Sequence, residues 1–342
     1  MAQLTLTDIR KCYGDNPPAV SDFSLTIEPG QFVALLGPSG CGKTTILRMI
    51  AGFEQVSAGQ IYHGDQLLSE AGRQVAPEKR GMGMVFQSYA LWPHMTVADN
   101  VGYPLKVRGV KGRDYRRRVG EALDVVLLTD YADRVPRDLS GGQRQRVALA
   151  RCLVGEPEVI LFDEPLANLD RHLRASMEET FRAFHRRTGA TMIYVTHDQG
   201  EAMALADRVA VMDRGRLVQY STPQDLYRTP ANEMVARLIG NGTIVAINEA
   251  HPATMVDGEV VMKALGTASG GPQKLLVRPE DVRIGEGPLE ARIRDCVFKG
   301  ERYSLSLELG DGTALGCYAG DSLAVGAVTR VRIDRAWALE VG

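Results

Sequence analysis

The chain has 342 residues, 44% of them hydrophobic, which is enough for two domains with buried cores. Its 40 Lys and Arg residues nearly balance 42 Asp and Glu residues, and the net charge of −2 excludes a global basic field for nucleic acid or an anionic bilayer. Five scattered cysteines without a C-x-x-C pair predict free thiols in a reducing compartment. Since no apolar run reaches the roughly 18 residues of a membrane span, we expect any work at a membrane to require a partner.

The first recognisable unit along the chain is a strand, a glycine-rich loop and a helix. Residues 1–10 alternate apolar and polar side chains like a strand and lack the charged start and apolar block of a signal peptide. The apolar run 32–36 predicts a buried strand, and residues 43–51 predict a helix that Gly52 stops. The segment that joins them matches the phosphate-binding P-loop pattern. It consists of Gly37, Pro38, Ser39, Gly40, Cys41, Gly42, Lys43, Thr44 and Thr45.

The P-loop pattern predicts a site for the phosphates of a nucleotide. Its glycines let backbone N–H groups converge on phosphate oxygens, and the N-terminus of the helix adds positive potential. Lys43 is placed to reach the terminal phosphates, and the hydroxyl of Thr44 can ligate Mg²⁺.

Two later apolar runs end in polar residues, as strands of an open α/β sheet do where ligands bind. The run 159–162 is followed by Asp163, which can hold a metal through water, and by Glu164, which can polarise an attacking water as a general base. The run 192–195 is followed by Thr196 and His197. We therefore expect these side chains to lie near the P-loop.

Two helices are predicted between the P-loop and the strand that precedes Asp163. One apolar helix face is predicted for Val119, Ala122, Leu123, Val126 and Leu127, and the arginines at 113 and 116–118 predict a solvated basic face rather than a nucleic-acid contact. Further on, a Ser and two glycines at 140–142 precede a helix-forming run. They place a hydroxyl and backbone N–H groups at a second helix N-terminus.

The residue pattern changes after residues 241–242. Residues 303–309 alternate apolar and polar side chains, 310–312 supply a turn, and 331–334 alternate again. We therefore predict two domains, an α/β domain over residues 1–240 and a small antiparallel β domain over residues 241–342.

Leu139-Ser140-Gly141-Gly142-Gln143 is the signature motif of ABC-type ATPases, and residues 1–240 resemble that family throughout, with every motif in the family's order. The resemblance implies an α/β P-loop NTPase core with a helical signature subdomain, followed by a small all-β domain similar to the oligonucleotide-binding (OB) fold. It implies ATP and Mg²⁺ as ligands.

The resemblance also assigns roles to single residues. Asp163 is similar to the metal-holding Walker B acid and Glu164 to the catalytic base, while His197 is similar to the catalytic switch histidine. Gln87 lies in a segment that resembles the Q-loop, which contacts ATP and the metal, and Tyr13 matches the aromatic residue that stacks on adenine.

The family works as a head-to-tail dimer in which each ATP lies between one P-loop and the partner's signature motif. This implies that Ser140, Gly141, Gly142 and Gln143 contact the γ-phosphate bound by a second copy of the chain. Residues 166–170 resemble the loop that links the two sites. Importer relatives commonly have Ser where this chain has Ala167, so the substitution removes one hydroxyl from that contact.

Two segments narrow the resemblance to importer ATPases. Residues 276–282 and the strands after them resemble the accessory TOBE domain of that subfamily, and residues 88–97 resemble its segment that faces the membrane subunit. Trp92 is expected to line a pocket for a short helix of that subunit, with packing inside its own domain as the alternative. The transported substrate is not determined by the sequence. Iron, polyamine or phosphonate is favoured over sugar, because the C-terminal region is shorter than in many sugar-importer subunits.

The implied protein is an ATP-hydrolysing importer subunit, peripheral at the cytoplasmic face of the inner membrane. Its implied partners are a second copy, transmembrane permease subunits and, indirectly, an extracytoplasmic solute-binding protein, with no nucleic acid. The alternative is a soluble ABC ATPase of DNA repair or translation. Such proteins tend to have a coiled-coil or zinc insertion or a second nucleotide domain, and none occurs in this sequence. Salt-dependent binding to DNA or ribosomes would favour that alternative.

Overall fold

The computed structural model describes residues 2–167, 170–247, 254–265 and 273–340. The chain divides into two compact units, Met1–Pro223 and Gln224–Gly342. The division falls before the boundary predicted after residue 240, because Ala236 packs with Leu276 and Leu339 in the second unit.

The first unit consists of two sheets and the helices around them. Its strands are β1 (Leu4–Lys11), β2 (Val20–Ile27), β3 (Phe32–Leu36), β4 (Ala58–His63), β5 (Gln66–Glu70), β6 (Arg73–Gln74), β7 (Met82–Val85), β8 (Val159–Asp163), β9 (Thr191–Thr196), β10 (Arg208–Asp213) and β11 (Arg216–Ser221). Its helices are α1 (Lys43–Ala51), α2 (Val97–Val107), α3 (Gly112–Val125), α4 (Gly141–Leu153), α5 (Arg171–Thr188) and α6 (Gln199–Leu205), with 3₁₀ turns at Pro77–Lys79, Thr129–Tyr131 and Pro136–Asp138.

The central sheet of this unit has the strand order β11-β10-β3-β9-β8-β7 and is parallel except for the antiparallel β10–β11 pair. Every residue of β3, β8 and β9 is buried, as expected for parallel strands covered on both faces. The second sheet, β2-β1-β4-β5-β6, is antiparallel. The three central strands predicted from the sequence are confirmed.

Helix α1 has the bounds that the sequence predicted, and Gly52 ends it with a left-handed φ of 86°. The apolar face predicted before the signature motif is only partly right. Val119 and Leu123 are buried on α3, but Leu127 is 76% exposed, since the helix ends at Val125 and residue 127 has a φ of 56°. Leu128, which is 1% exposed, is buried in place of Leu127.

The second unit is mainly antiparallel β structure. Its described residues form two four-stranded sheets, with orders β12-β14-β19-β13 and β17-β16-β15-β18, and a core of aliphatic side chains. Its elements are α7 (Pro223–Arg228, beginning at the last residue of the first unit), α8 (Glu233–Leu238), β12 (Thr243–Ile247), β13 (Met255–Asp257), α9 (Gly258–Leu265), β14 (Gln273–Val277), a 3₁₀ turn (Pro279–Asp281), β15 (Val282–Phe298), β16 (Tyr303–Leu309), β17 (Ala314–Ala319), β18 (Val328–Ile333) and β19 (Arg335–Ala338). The predicted antiparallel β region is confirmed, with a helix, α9, that the sequence pattern did not indicate.

Candidate nucleotide site

The P-loop lies between β3 and α1, and two of its glycines are required by its geometry. A Cβ at Gly37 would lie 2.2 Å from the carbonyl oxygen of Met212. Gly42 has a φ of 101°, and a Cβ there would lie 2.7 Å from the carbonyl oxygen of Ala19. The loop therefore keeps its backbone close to neighbouring strands, with the N-terminal N–H groups of α1 available to a ligand.

Lys43 is buried inside the loop, with 4% of its surface exposed. Its Nζ donates hydrogen bonds to the carbonyl oxygens of Gly37 at 2.7 Å and Pro38 at 2.9 Å, and lies 3.8 Å from the Sγ of Cys41. An ammonium group has three N–H donors, so a phosphate oxygen could replace the weak sulfur acceptor. Burial raises the pKa of the Cys41 thiol and so favours its protonated form, while the nearby Lys43 opposes that shift.

Thr44 and Asp163 meet at the base of the site. The Oγ1 of Thr44 donates a hydrogen bond to the Oδ1 of Asp163 at 3.0 Å. Burial raises the pKa of Asp163, while the bond from Thr44 and the nearby Arg48 oppose that shift. A hydroxyl and a carboxylate are the oxygen ligands that Mg²⁺ prefers. Within the described residues, no cluster of three or more His, Cys, Asp or Glu side chains is placed to hold a metal ion.

Glu164 and His197 form a second pair at the ends of neighbouring strands. Glu164 has a left-handed φ of 44°, and its N–H donates to the carbonyl oxygen of Val195 at 3.2 Å. Its Oε2 lies 3.4 Å from the Nδ1 of His197, whose side chain is 55% exposed. The pairing of β8 with β9 therefore brings together two residues that are distant in sequence.

A buried carboxylate that the sequence reasoning missed supports the His197 turn. Glu201 on α6 is 4% exposed and accepts hydrogen bonds from Tyr194 Oη at 2.9 Å and Thr196 Oγ1 at 2.7 Å. Burial raises its pKa, while these two bonds oppose the shift. Arg174 on α5 lies 3.5 Å from Glu201 and donates to Asp198 at 2.9 Å. The only sequence signal was an acidic residue in the first turn of the helix after His197.

Removing this carboxylate is expected to destabilise the first unit. Glu201→Ala leaves the buried hydroxyls of Tyr194 and Thr196 without their acceptor, which is expected to cost roughly 1–3 kcal/mol per unsatisfied group. Glu201→Gln keeps an acceptor oxygen and is the matched control, expected to melt closer to the parent. Equal melting temperatures for the parent and Glu201→Ala in calorimetry would contradict this support role.

The signature motif begins α4. The N–H of Ser140 donates to Gln143 Oε1 at 2.8 Å, and the N–H of Gln143 donates to Ser140 Oγ at 3.3 Å, which is a reciprocal capping box. The hydroxyl proton of Ser140 is then still available for donation. Gly141 begins the helix, and a Cβ at Gly142 would lie 2.6 Å from Leu173. Within the described residues, no hydrogen bond or ion pair joins this motif to the P-loop.

The remaining predicted residues, Tyr13, Gln87 and Ala167, belong to neither of the two side-chain pairs. The ring of Tyr13 is 44% exposed, with Lys11 Nζ 4.7 Å from its centroid. Gln87 is exposed just after β7. Ala167 donates its N–H to the carbonyl of Glu164 at 3.3 Å, whereas Asn168 and Leu169 of the same loop lie outside the described residues.

Residues 20–167 match the family described as ABC transporter, and residues 275–339 match the TOBE domain. An sn-glycerol-3-phosphate import ATP-binding protein of Agrobacterium fabrum is 42% identical, over 98% of this chain and 90% of that protein. A trehalose/maltose import ATP-binding protein of Thermococcus litoralis is 44% identical, over 94% and 92%. The chain belongs to the ABC transporter family. It is an ABC import ATPase with a TOBE domain, as the sequence predicted.

Two further similarities bear on this import ATPase. A spermidine/putrescine import ATP-binding protein of Chromobacterium violaceum is 44% identical, over 91% of the chain and 90% of that protein. A solved dimeric ATP-binding cassette in a post-hydrolysis state, bound to ADP and phosphate, has a TM-score of 0.57 and 30% identity, over 64% of this chain and 98% of that chain. No helix in the described part of the chain is long and apolar enough to span a membrane.

Proposed function

We propose that this ABC import ATPase hydrolyses ATP through Glu164 and His197, with the nucleotide phosphates held by residues 37–45. The observation that carries the proposal is the meeting of two pairs where β8 and β9 end, Thr44 of α1 with Asp163 at 3.0 Å and Glu164 with His197 at 3.4 Å. Glu164 would accept a proton from the attacking water, and His197 would hold Glu164 and the γ-phosphate in register.

Thr44 and Asp163 fit a Mg²⁺ ion that enters with the nucleotide, and Gln87 would complete the protein's contribution. When bound, the ion neutralises charge on the phosphates. The raised pKa of Asp163 supports this assignment, because a buried carboxylate without a cation is costly to ionise and a cation would offset that cost. Tyr13, exposed at the edge of the unit, would stack on adenine.

The second copy of the chain would complete each ATP site. In this arrangement Ser140, Gly141, Gly142 and Gln143 act on the γ-phosphate held by the partner's P-loop. The free hydroxyl proton of Ser140 and the N–H groups at the start of α4 provide the donors. The similar cassette that was solved as a dimer with ADP and phosphate supports the pairing.

The permease partner would bind a groove beside the Q-loop segment. This groove has a volume of about 340 Å³ and is lined by β7, the end of α4 and the segments that follow each of them, with Pro104 and Arg108 from the end of α2 and the residue after it. Trp92 lies in its wall, packed against Tyr103 with ring centroids 4.3 Å apart. Both rings are partly exposed, so they can bury further area against a short helix.

The relatives' names support an importer at the membrane rather than a DNA-repair or translation factor. We therefore propose a peripheral subunit on the cytoplasmic face of the inner membrane, which serves permease subunits and, through them, a solute-binding protein. Relatives of similar identity are named for sn-glycerol-3-phosphate, spermidine/putrescine and trehalose/maltose, so they do not separate the cargo classes. The preference for iron, polyamine or phosphonate over sugar stays a prediction.

Truncation of Trp92 tests the permease role. Trp92→Ala is expected to weaken binding of the permease by on the order of 1 to 4 kcal/mol, because an aromatic side chain in a groove commonly dominates such contacts. ATP affinity of the isolated subunit is expected to stay near the parent's value. The measurement is co-purification of the subunit with its permease, together with a melting curve and a nucleotide titration.

Leu127→Ala is the matched control, since Leu127 is a 76% exposed apolar residue of the same unit that does not line the groove. It is expected to leave assembly unchanged. If Trp92→Ala assembles as well as the control, or simply unfolds, Trp92 has no docking role.

A further inference from the structure

Helix α4 links the two surfaces that the proposed function requires. Its first residues belong to the signature motif, and its last turn carries Arg151. Arg151 Nη1 donates to the carbonyl oxygen of Ala90 at 2.6 Å, and Nη2 donates to the carbonyl oxygen of Tyr89 at 2.8 Å. The far end of the signature helix is thus bonded to the segment just after Gln87.

The two carbonyl groups belong to residues in an unusual conformation. Tyr89 has a φ of 60° and Ala90 a φ of 47°, and side chains with a Cβ rarely adopt this left-handed region. Such a conformation persists when surrounding contacts hold it. The two charge-assisted hydrogen bonds from Arg151 are contacts of that kind.

The same guanidinium also contacts the groove. Its Cζ lies 4.9 Å from the ring centroid of Trp92, within cation–π range, and Trp92 packs on Tyr103. Arg151, Ala90 and Trp92 all line the groove. A displacement of Arg151 would therefore move both the strained backbone at 89–90 and the ring of Trp92.

We propose that Arg151 is a positioning residue that transmits movement of the signature helix to the Trp92 segment, so that closure of the ATP dimer reshapes the permease groove. The inference rests on the proposed function. Helix α4 has 13 residues and is about 20 Å long at 1.5 Å per residue. It is therefore long enough to connect the partner's γ-phosphate with the groove, and it can move as one rigid rod. A lysine could not replace the arginine fully, since the planar fork serves two carbonyl groups at once.

The chain offers a direct reporter, because Trp92 and Trp337 are its two tryptophans. Trp337→Phe leaves Trp92 as the sole tryptophan, and Glu164→Gln in the same protein accumulates the ATP-bound dimer. We expect addition of ATP with Mg²⁺ to change the emission of Trp92 as the dimer forms, followed in parallel by size-exclusion chromatography. In a protein that also carries Arg151→Met, the dimer is expected to form at similar ATP concentrations while the emission change is lost.

Arg108→Ala is the matched control. Arg108 lines the same groove but donates to the carbonyl oxygen of Gly155. This variant is expected to keep the full emission change. Arg151→Lys retains the charge and can reach one carbonyl group, so it is expected to keep part of the emission change. If Arg151→Met melts far below the parent, the Arg151→Lys protein is used in its place to test the role of Arg151.

The outcomes separate the two levels of the proposal. Absence of an ATP-dependent dimer in the Trp337→Phe, Glu164→Gln protein would count against the proposed function. A dimer that forms without any change at Trp92 would overturn the inference alone. A full emission change in the Arg151→Met protein would also overturn the inference. If Arg151→Met is unstable, a full emission change in the Arg151→Lys protein would do the same.

Discussion

Glu164→Gln is expected to reduce ATP turnover by roughly 10²-fold or more while ATP still binds, because the amide keeps the shape of the carboxylate but cannot act as a general base. The structure favours this substitution as a clean probe. Glu164 already holds its backbone in a left-handed conformation through its N–H bond to Val195, and the side-chain exchange leaves that bond in place. The measurements are steady-state phosphate release and ATP-dependent dimer formation, which is expected to increase.

Glu178→Gln is the matched control, because Glu178 is a partly buried glutamate on α5 that lies outside the proposed catalytic pair. It is expected to retain parental turnover. Parental turnover in Glu164→Gln itself would remove Glu164 from the mechanism.

Lys43→Ala is expected to weaken nucleotide binding as well as hydrolysis. The ammonium group holds the carbonyl groups of Gly37 and Pro38, so its removal takes away both a cation for the phosphates and a support of the loop. Titration calorimetry with ATP and Mg²⁺ measures the affinity. Lys43→Met, which keeps most of the side-chain volume, separates loss of charge from loss of packing.

His197→Ala is expected to behave differently from Lys43→Ala. The imidazole is half-exposed and contacts Glu164 rather than the loop, so ATP affinity should be retained while turnover falls. Calorimetry and phosphate release on the same preparations test the contrast. If His197→Ala loses affinity and Lys43→Ala keeps it, the roles assigned to these two residues are reversed.

Much of the fold could be predicted from local pattern. The strand at 32–36, the helix at 43–51 and the alternation at 303–309 were predicted because burial on both faces, glycine termination and one-sided burial each leave a distinct spacing of apolar residues. Leu127 shows the limit of that method. Its spacing fitted the buried face of α3, yet a break in the helix two residues earlier exposed it.

The sequence alone determined the family, the order of the nucleotide-site motifs and the two-part organisation, because each motif is a short run whose chemistry depends on adjacent residues. Contacts between distant segments were decided only by the tertiary structure. Three such contacts join separate elements: the hydrogen bond from Thr44 to Asp163, the hydrogen bond from Thr196 to the buried Glu201, and the hydrogen bonds from Arg151 to the backbone at 89–90. Sequence pattern reports which face of an element is buried, whereas packing decides which buried or half-buried polar groups meet.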